Sequence, residues 1–84
     1  MADAVYQHLI RLLIRHAAVD AGTPVLDTEG IARHLELAGP PADRVLINLY
    51  LGQLARQGYV RIHSPAAGTL VVSDVLVPAL QRLL

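Results

Sequence analysis

The sequence contains no cysteine, lysine, phenylalanine or tryptophan. Without cysteine the chain can form no disulfide, no thiolate nucleophile and no cysteine-based zinc site. The seven residues counted as Lys or Arg are therefore all arginines, and because seven acidic residues balance them, the formal charge is zero. This balance excludes a strongly basic tail and an acidic mimic of a charged ligand.

Long apolar runs are also missing. No stretch approaches the roughly 18 consecutive apolar residues that a membrane-spanning helix needs. Asp3 precedes the first apolar run and Arg11 interrupts it, which is unlike a secretory signal peptide. We therefore expect a cytoplasmic protein with no membrane partner.

Aliphatic side chains are abundant. Of the 84 residues 54% are apolar, and the mean hydropathy is +0.43. A chain of this length forms one small domain, expected over residues 1–84, and buries little more than half of its unfolded surface. It carries more aliphatic surface than a compact monomer can readily hide, so a partner surface, such as that of a homodimer, is expected.

The first half of the chain reads as two helices. Apolar residues at a spacing of three and four predict an amphipathic helix over about residues 3–19. A short extended segment is predicted at Val25–Leu26. Asp27 then has the position and chemistry of an N-cap for a second helix over about residues 28–37.

Proline and glycine punctuate the second half. Pro41 fits the first turn of a third helix over about residues 41–57, and Gly58 is expected to end that helix in the left-handed conformation. Alternating residues then predict a β-hairpin over about 59–73, with its turn at Ser64–Gly68. A short final helix is expected over about 78–84.

This order of elements, together with TEGIARHLEL at residues 28–37 and LARQGYV at residues 54–60, resembles a winged helix-turn-helix domain. The resemblance covers roughly residues 5–73. It implies an α+β fold that is mainly α, with three helices, a β-wing and a short C-terminal helix.

The resemblance also implies a function, because the third helix of a winged-helix regulator usually enters the DNA major groove while the wing contacts the backbone. We accordingly expect a small homodimeric protein that binds double-stranded DNA and regulates transcription. Six polar residues of the third helix and wing are candidate contacts: Arg44, Asn48, Gln53, Arg56, Arg61 and His63. The first helix and the tail residues Leu76, Leu80 and Leu83 are the expected dimer interface.

A second interpretation fits other features of the same helix. Val45, Leu49 and Gly52 form a stripe of apolar and small residues on the face expected to meet solvent, and the wing tip has no positive charge. Because the affinity of a protein for DNA grows with the number of phosphates it neutralises, a chain without net charge is expected to bind DNA weakly. The alternative is a protein-interaction winged helix, a subunit or adaptor of a larger assembly, whose arginines are solvated surface groups.

Metal binding and catalysis have little support in the sequence. The candidate soft-metal ligands are His8, His16, His34 and His63, and no two of them are spaced four apart on one helix face. A metal site would need distant histidines to converge or two chains to share them. No nucleophile elbow or phosphate-binding glycine loop is present. We expect neither a cofactor nor an enzymatic activity.

Overall fold

The computed structural model describes residues 4–19, 26–38 and 43–84. Within these ranges the elements are α1 (Ala4–Val19), β1 (Leu26–Asp27), α2 (Thr28–Ala38), α3 (Arg44–Arg56), β2 (Val60–Ala66), β3 (Thr69–Val75) and α4 (Val77–Gln81). They form a small mixed α+β domain of four helices and one antiparallel sheet, which is compatible with the winged-helix arrangement. Val25, part of the predicted extended segment, lies outside the described residues.

The sheet has the strand order β1-β3-β2, so β3 is its centre. Leu26 pairs with Val72 across β1 and β3, and the β2–β3 hairpin closes at Ala66 and Thr69. The turn is therefore the two residues that follow Ala66, with Gly68 at φ +77°. The longer turn predicted at residues 64–68 is wrong, because strand pairing continues to Ala66 and Thr69. The predicted end of the hairpin at residue 73 is also too early, since β3 continues to Val75.

The core lies between the helices and one face of the sheet. Its fully buried members come from every helix and are Leu9, Ile10, Leu13, Ile31, Leu35, Ile47, Leu51, Leu54 and Leu80. The predicted inner face of the third helix is confirmed for Ile47, Leu51 and Leu54, while Tyr50 is half-buried and stacks edge-on against Tyr6. Burial of these aliphatic side chains is the main favourable term in folding.

Asp27 caps α2 as the sequence indicates. Its Oδ1 accepts a hydrogen bond of 2.7 Å from the backbone N–H of Gly30, which is the third residue of the helix. An unpaired N–H in the first turn is thereby satisfied. Because Asp27 also pairs with Val71 in the sheet, the cap fixes the start of α2 against β3.

The third helix begins later than predicted. Asp43 has the extended dihedrals φ −87° and ψ 119°, and its carboxylate accepts a 2.9 Å hydrogen bond from the N–H of Val45. It is therefore the N-cap, and α3 starts at Arg44 rather than near residue 41. Pro41, the predicted first-turn residue, lies outside the described residues.

The end of the third helix follows the prediction. Gly58 has φ +88°, the N–H of Tyr59 bonds the carbonyl of Leu54 at 2.9 Å, and the N–H of Gly58 bonds that of Ala55 at 3.1 Å. These two bonds are the Schellman arrangement, which satisfies the last carbonyl groups of the helix and turns the chain towards β2.

The final helix is shorter than predicted and starts one residue earlier, at Val77. Pro78 lies in its first turn, where backbone N–H groups have no partner within the helix, so the missing N–H of proline removes no hydrogen bond. Leu80 is fully buried against the core, and α4 packs on α1. The predicted role of Leu80 in a dimer interface is therefore wrong, since its side chain is fully buried within the chain and cannot contact a second copy.

Replacing Gly58 or Gly52 by alanine should change the free energy of unfolding in opposite directions. Gly58→Ala forces an L-residue into the left-handed region and should lower the free energy of unfolding by about 1–2 kcal/mol. Gly52→Ala places a methyl group in open space inside a helix and should raise it by about 0.5–1 kcal/mol. Urea denaturation of dilute protein measures both values, and shifts of the same sign would contradict the assignment.

Candidate interaction surface

Four residues lie along the side of α3 that faces away from the core. At 100° per residue they fall within a narrow arc opposite the buried residues, and we call them the outer face of α3: Val45, Leu49, Gly52 and Arg56. Val45 is 78% exposed and Leu49 is 56% exposed. The outer face of α3 is therefore apolar over the first two turns of the helix.

Gly52 has no role that packing within the chain explains. It lies in the interior of α3, where glycine costs about 1 kcal/mol relative to alanine. A Cβ atom built on Gly52 would meet no other atom within 4 Å. Neither steric crowding nor an unusual backbone conformation therefore requires glycine here, and its effect is to leave the helix backbone open beside Leu49.

Leu37, near the end of α2, is a further large apolar residue exposed on the domain. It is 87% exposed. Leu37 is not among the predicted interface residues, although it falls almost opposite the inner stripe of Ile31 and Leu35, which are buried. That departure from helical periodicity was the signal available for it.

Arg44 is held by an ion pair that joins α2 to α3. Its Nε donates to Oε1 of Glu29, and its Nη2 donates to Oε2 of the same carboxylate at 2.8 Å. This two-point contact lowers the pKa of Glu29, first through the hydrogen bond, and raises the pKa of Arg44 for the same reason. A DNA phosphate would have to compete with Glu29 for this guanidinium.

The side chain of Asn48 bonds both α2 and the β2–β3 hairpin. Its Oδ1 accepts a 2.6 Å hydrogen bond from the buried hydroxyl of Thr28, and its Nδ2 donates a 2.8 Å bond to the carbonyl of Gly68. The same hydroxyl accepts a 2.9 Å bond from the N–H of Leu70. In this conformation Asn48 positions the hairpin relative to α3. The two bonds occupy a donor and the acceptor of the Asn48 amide that a contact with a DNA base would need.

The other four predicted DNA contacts have side chains that remain available to bind a partner. Gln53, Arg56, Arg61 and His63 are all exposed, and none has a side-chain hydrogen bond or ion pair within the part of the chain described. Arg61 does face an acidic residue, since it is the β-sheet partner of Asp74. The positive surface on this side is therefore confined to the end of α3 and one strand of the hairpin.

The predicted dimer interface at α1 and the tail has few exposed apolar residues left. Among the described side chains of α1 the large apolar ones are buried, apart from Tyr6 and Ile14, which are partly buried and packed against the core. Leu83 is also partly buried there, whereas Leu76 is 55% exposed. Of the predicted tail residues Leu76, Leu80 and Leu83, Leu76 alone is exposed, and Leu84 at the end of the same tail is 53% exposed.

Neither a metal site nor a membrane-spanning helix is found among the described residues. Among residues 4–19, 26–38 and 43–84 no group of three or more His, Asp or Glu side chains is arranged to hold a metal ion. In the same ranges no helix has the length and apolar character to cross a membrane.

Comparison of the chain with protein families, with curated proteins and with solved structures found no match. The function has therefore to be inferred from the surface itself. That surface combines an apolar helix face, two polar residues committed to internal contacts, and a small group of uncommitted polar residues.

Replacing Thr28 tests whether its hydroxyl joins the three elements. Thr28→Val leaves the Leu70 N–H and the Asn48 amide oxygen without their partner, and we expect the free energy of unfolding to fall by about 1–3 kcal/mol. Hydrogen exchange at the Leu70 amide should accelerate. Thr69→Val is the matched control, because no side-chain hydrogen bond of Thr69 is present; equal losses in both variants would contradict this role.

The Glu29–Arg44 pair has a pH signature. A lowered folded-state pKa means that the pair contributes stability above the ordinary pKa of glutamate, and this contribution is lost as the pH falls through the lowered value. Arg44→Gln should move the Glu29 pKa, followed by carboxyl NMR, back towards 4.5. Arg33→Gln should move it less, because Arg33 acts only through a weaker coulombic effect; the reverse order would contradict the pairing.

Proposed function

We propose that this chain is a winged-helix protein-interaction module whose contact surface is the outer face of α3, and that its partner is a second copy of the chain. The observation that carries this proposal is the exposure of Val45 and Leu49 one helical turn apart, with the unneeded Gly52 beside them. Single exposed apolar residues are ordinary, whereas a contiguous pair beside an open stretch of backbone favours a protein contact.

The outer face of α3 complements itself when two copies pack antiparallel. In a two-fold pair centred between residues 50 and 51, Leu49 of each chain lies over Gly52 of the other, as an isologous interface requires. The aliphatic stem of Arg56 then covers the other chain's Val45. A parallel pair would bring Arg56 against its own copy, so charge favours the antiparallel arrangement.

The electrostatics of the helix start agree with a protein contact. Arg44 is neutralised by Glu29, and the carboxylate of Asp43 faces the first turn of α3. With a formal charge of zero over the whole chain, no strong field repels a second copy. Burial of Leu49 and Val45 is then the main driving force for association.

Sedimentation velocity over a range of protein concentrations tests the self-association. Leu49→Asp places a charge at the centre of the contact, and we expect it to shift the wild-type dimer to monomer with an unchanged far-UV CD spectrum. Gln81→Asp, a matched charge change on exposed α4, should leave the dimer intact. A wild-type protein that is monomeric at every concentration, or equal effects of the two variants, would overturn the proposal.

Binding to double-stranded DNA is the second candidate function, and a separate observation favours it. Gln53, Arg56, Arg61 and His63 are exposed and uncommitted at the end of α3 and on the hairpin, where a winged helix contacts DNA. Four such residues supply few phosphate contacts, so binding would depend on doubling them in a dimer that leaves the end of α3 free, unlike the antiparallel pair above.

Fluorescence anisotropy with a mixed-sequence duplex tests this candidate. If DNA is bound, the affinity should fall with rising salt, and Arg56→Ala should reduce the slope of log affinity against log salt by about one. Arg82→Ala removes an exposed arginine from the tail and is the control. Absence of binding at low salt, or the same loss in both variants, would count against DNA.

A further inference from the structure

A groove runs between α1 and α2, on residues distinct from the outer face of α3. Its volume is about 280 Å³, and it is lined by His8, Arg11, Leu12, Arg15, His34 and Leu35. Two of the six described lining residues are arginines, two are histidines and none is acidic. In a chain whose total formal charge is zero, this is a local concentration of one sign.

The two arginines are placed to act together. Arg11 and Arg15 are four residues apart on α1, so their side chains project from the same side of the helix about 5–6 Å apart at Cβ. Both are exposed, and neither has an ion-pair or hydrogen-bond partner among the described residues. Like charges at this spacing disfavour the helix slightly, and a bound anion would remove that cost.

The opposite wall supplies an oriented imidazole. Nδ1 of His34 lies 2.8 Å from the carbonyl oxygen of Gly30. Since a carbonyl can only accept, Nδ1 carries the proton of this bond, and Nε2 is the ring atom left for a ligand. Nε2 donates to a phosphate oxygen when the ring carries both protons, and it accepts from a P–OH group when the ring is neutral. His8, half-buried one turn before Arg11, completes the set of polar groups.

The floor of the groove is apolar. Leu12 and Leu35 are both buried, with exposed fractions of 9% and 2%. A site with apolar residues below and cationic groups at its rim suits a small molecule that has an anionic end and an apolar body. Guanidinium groups pair with carboxylate and with phosphate through two parallel N–H···O bonds. A phosphate monoester has three acceptor oxygens, so it can bond Arg11 and Arg15 at the same time, which favours phosphate here.

We propose that this groove binds the phosphate group of a small phosphate monoester, with Arg11 and Arg15 as its charged contacts and His34 and His8 as hydrogen-bonding partners. The organic part of the ligand lies against Leu12 and Leu35. The site is independent of the outer face of α3, so its ligand binds whether or not the chain self-associates.

NMR titration of the full chain with inorganic phosphate and with phenyl phosphate, at constant pH and ionic strength, tests the site. We expect saturable shifts of amide signals on the facing sides of α1 and α2. Phenyl phosphate should bind several-fold more tightly than inorganic phosphate, because its ring covers the leucine floor. Shifts that do not saturate, or that map elsewhere, would overturn the proposal.

Paired double variants separate specific binding from net charge. Arg11→Gln with Arg15→Gln should weaken phenyl phosphate binding at least about tenfold, since two charge-assisted contacts are lost. Arg33→Gln with Arg82→Gln removes the same charge outside the groove and should change it less than about twofold; urea denaturation verifies that both variants fold. Equal weakening would mean diffuse electrostatic attraction and would overturn the site.

A short DNA duplex in the same titration distinguishes the source of the phosphate. If the duplex produces the same shifts at much lower concentration, and loss of Arg11 and Arg15 abolishes them, the groove serves a nucleic-acid backbone and the small-molecule proposal is overturned. If the duplex leaves these signals unmoved while phenyl phosphate shifts them, the proposal is supported.

Discussion

The hydroxyl group of Thr28 is the point on which the arrangement of α2, α3 and the hairpin depends. It is buried, and it bonds Asn48 on α3 and the backbone of Leu70 on β3 while sitting on the first residue of α2. A buried polar group is tolerated only when its hydrogen bonds are made, so this small network admits few alternative packings. Together with the buried side chains Ile47, Leu51 and Leu54, it fixes which side of α3 turns inward and which remains exposed.

The contacts that join α3 to α2 and the hairpin also determine which side chains α3 presents to solvent. Asn48 is drawn into the network and Arg44 into its pair with Glu29, so the polar residues of the first half of α3 serve the fold. What remains outward there is Val45 and Leu49, followed by Gly52. Two of the uncommitted arginines, Arg11 and Arg15, line the α1–α2 groove instead, so the proposed protein contact and the proposed anion site fall on separate surfaces.

Local signals in the sequence predicted the local structure well. Helical periodicity gave the buried stripes, and the chemistry of aspartate and glycine gave the cap at Asp27 and the Schellman turn at Gly58, because these depend on residues within one turn. The partners of Asn48 could not be predicted, since Thr28 and Gly68 each lie 20 residues away and periodicity reports a face but no contact. Leu80 was misassigned for the same reason: its burial depends on α4 docking against α1.

In the proposed dimer Leu49 of one chain packs over Gly52 of the other. An isotope-filtered NOE experiment on a mixture of ¹³C-labelled and unlabelled protein reports contacts between chains alone. We expect an intermolecular NOE between the Leu49 methyl groups and the Gly52 α-protons, together with one from Val45 to the side chain of Arg56. Intermolecular NOEs confined to other surfaces, or none at a concentration where the protein is dimeric, would contradict it.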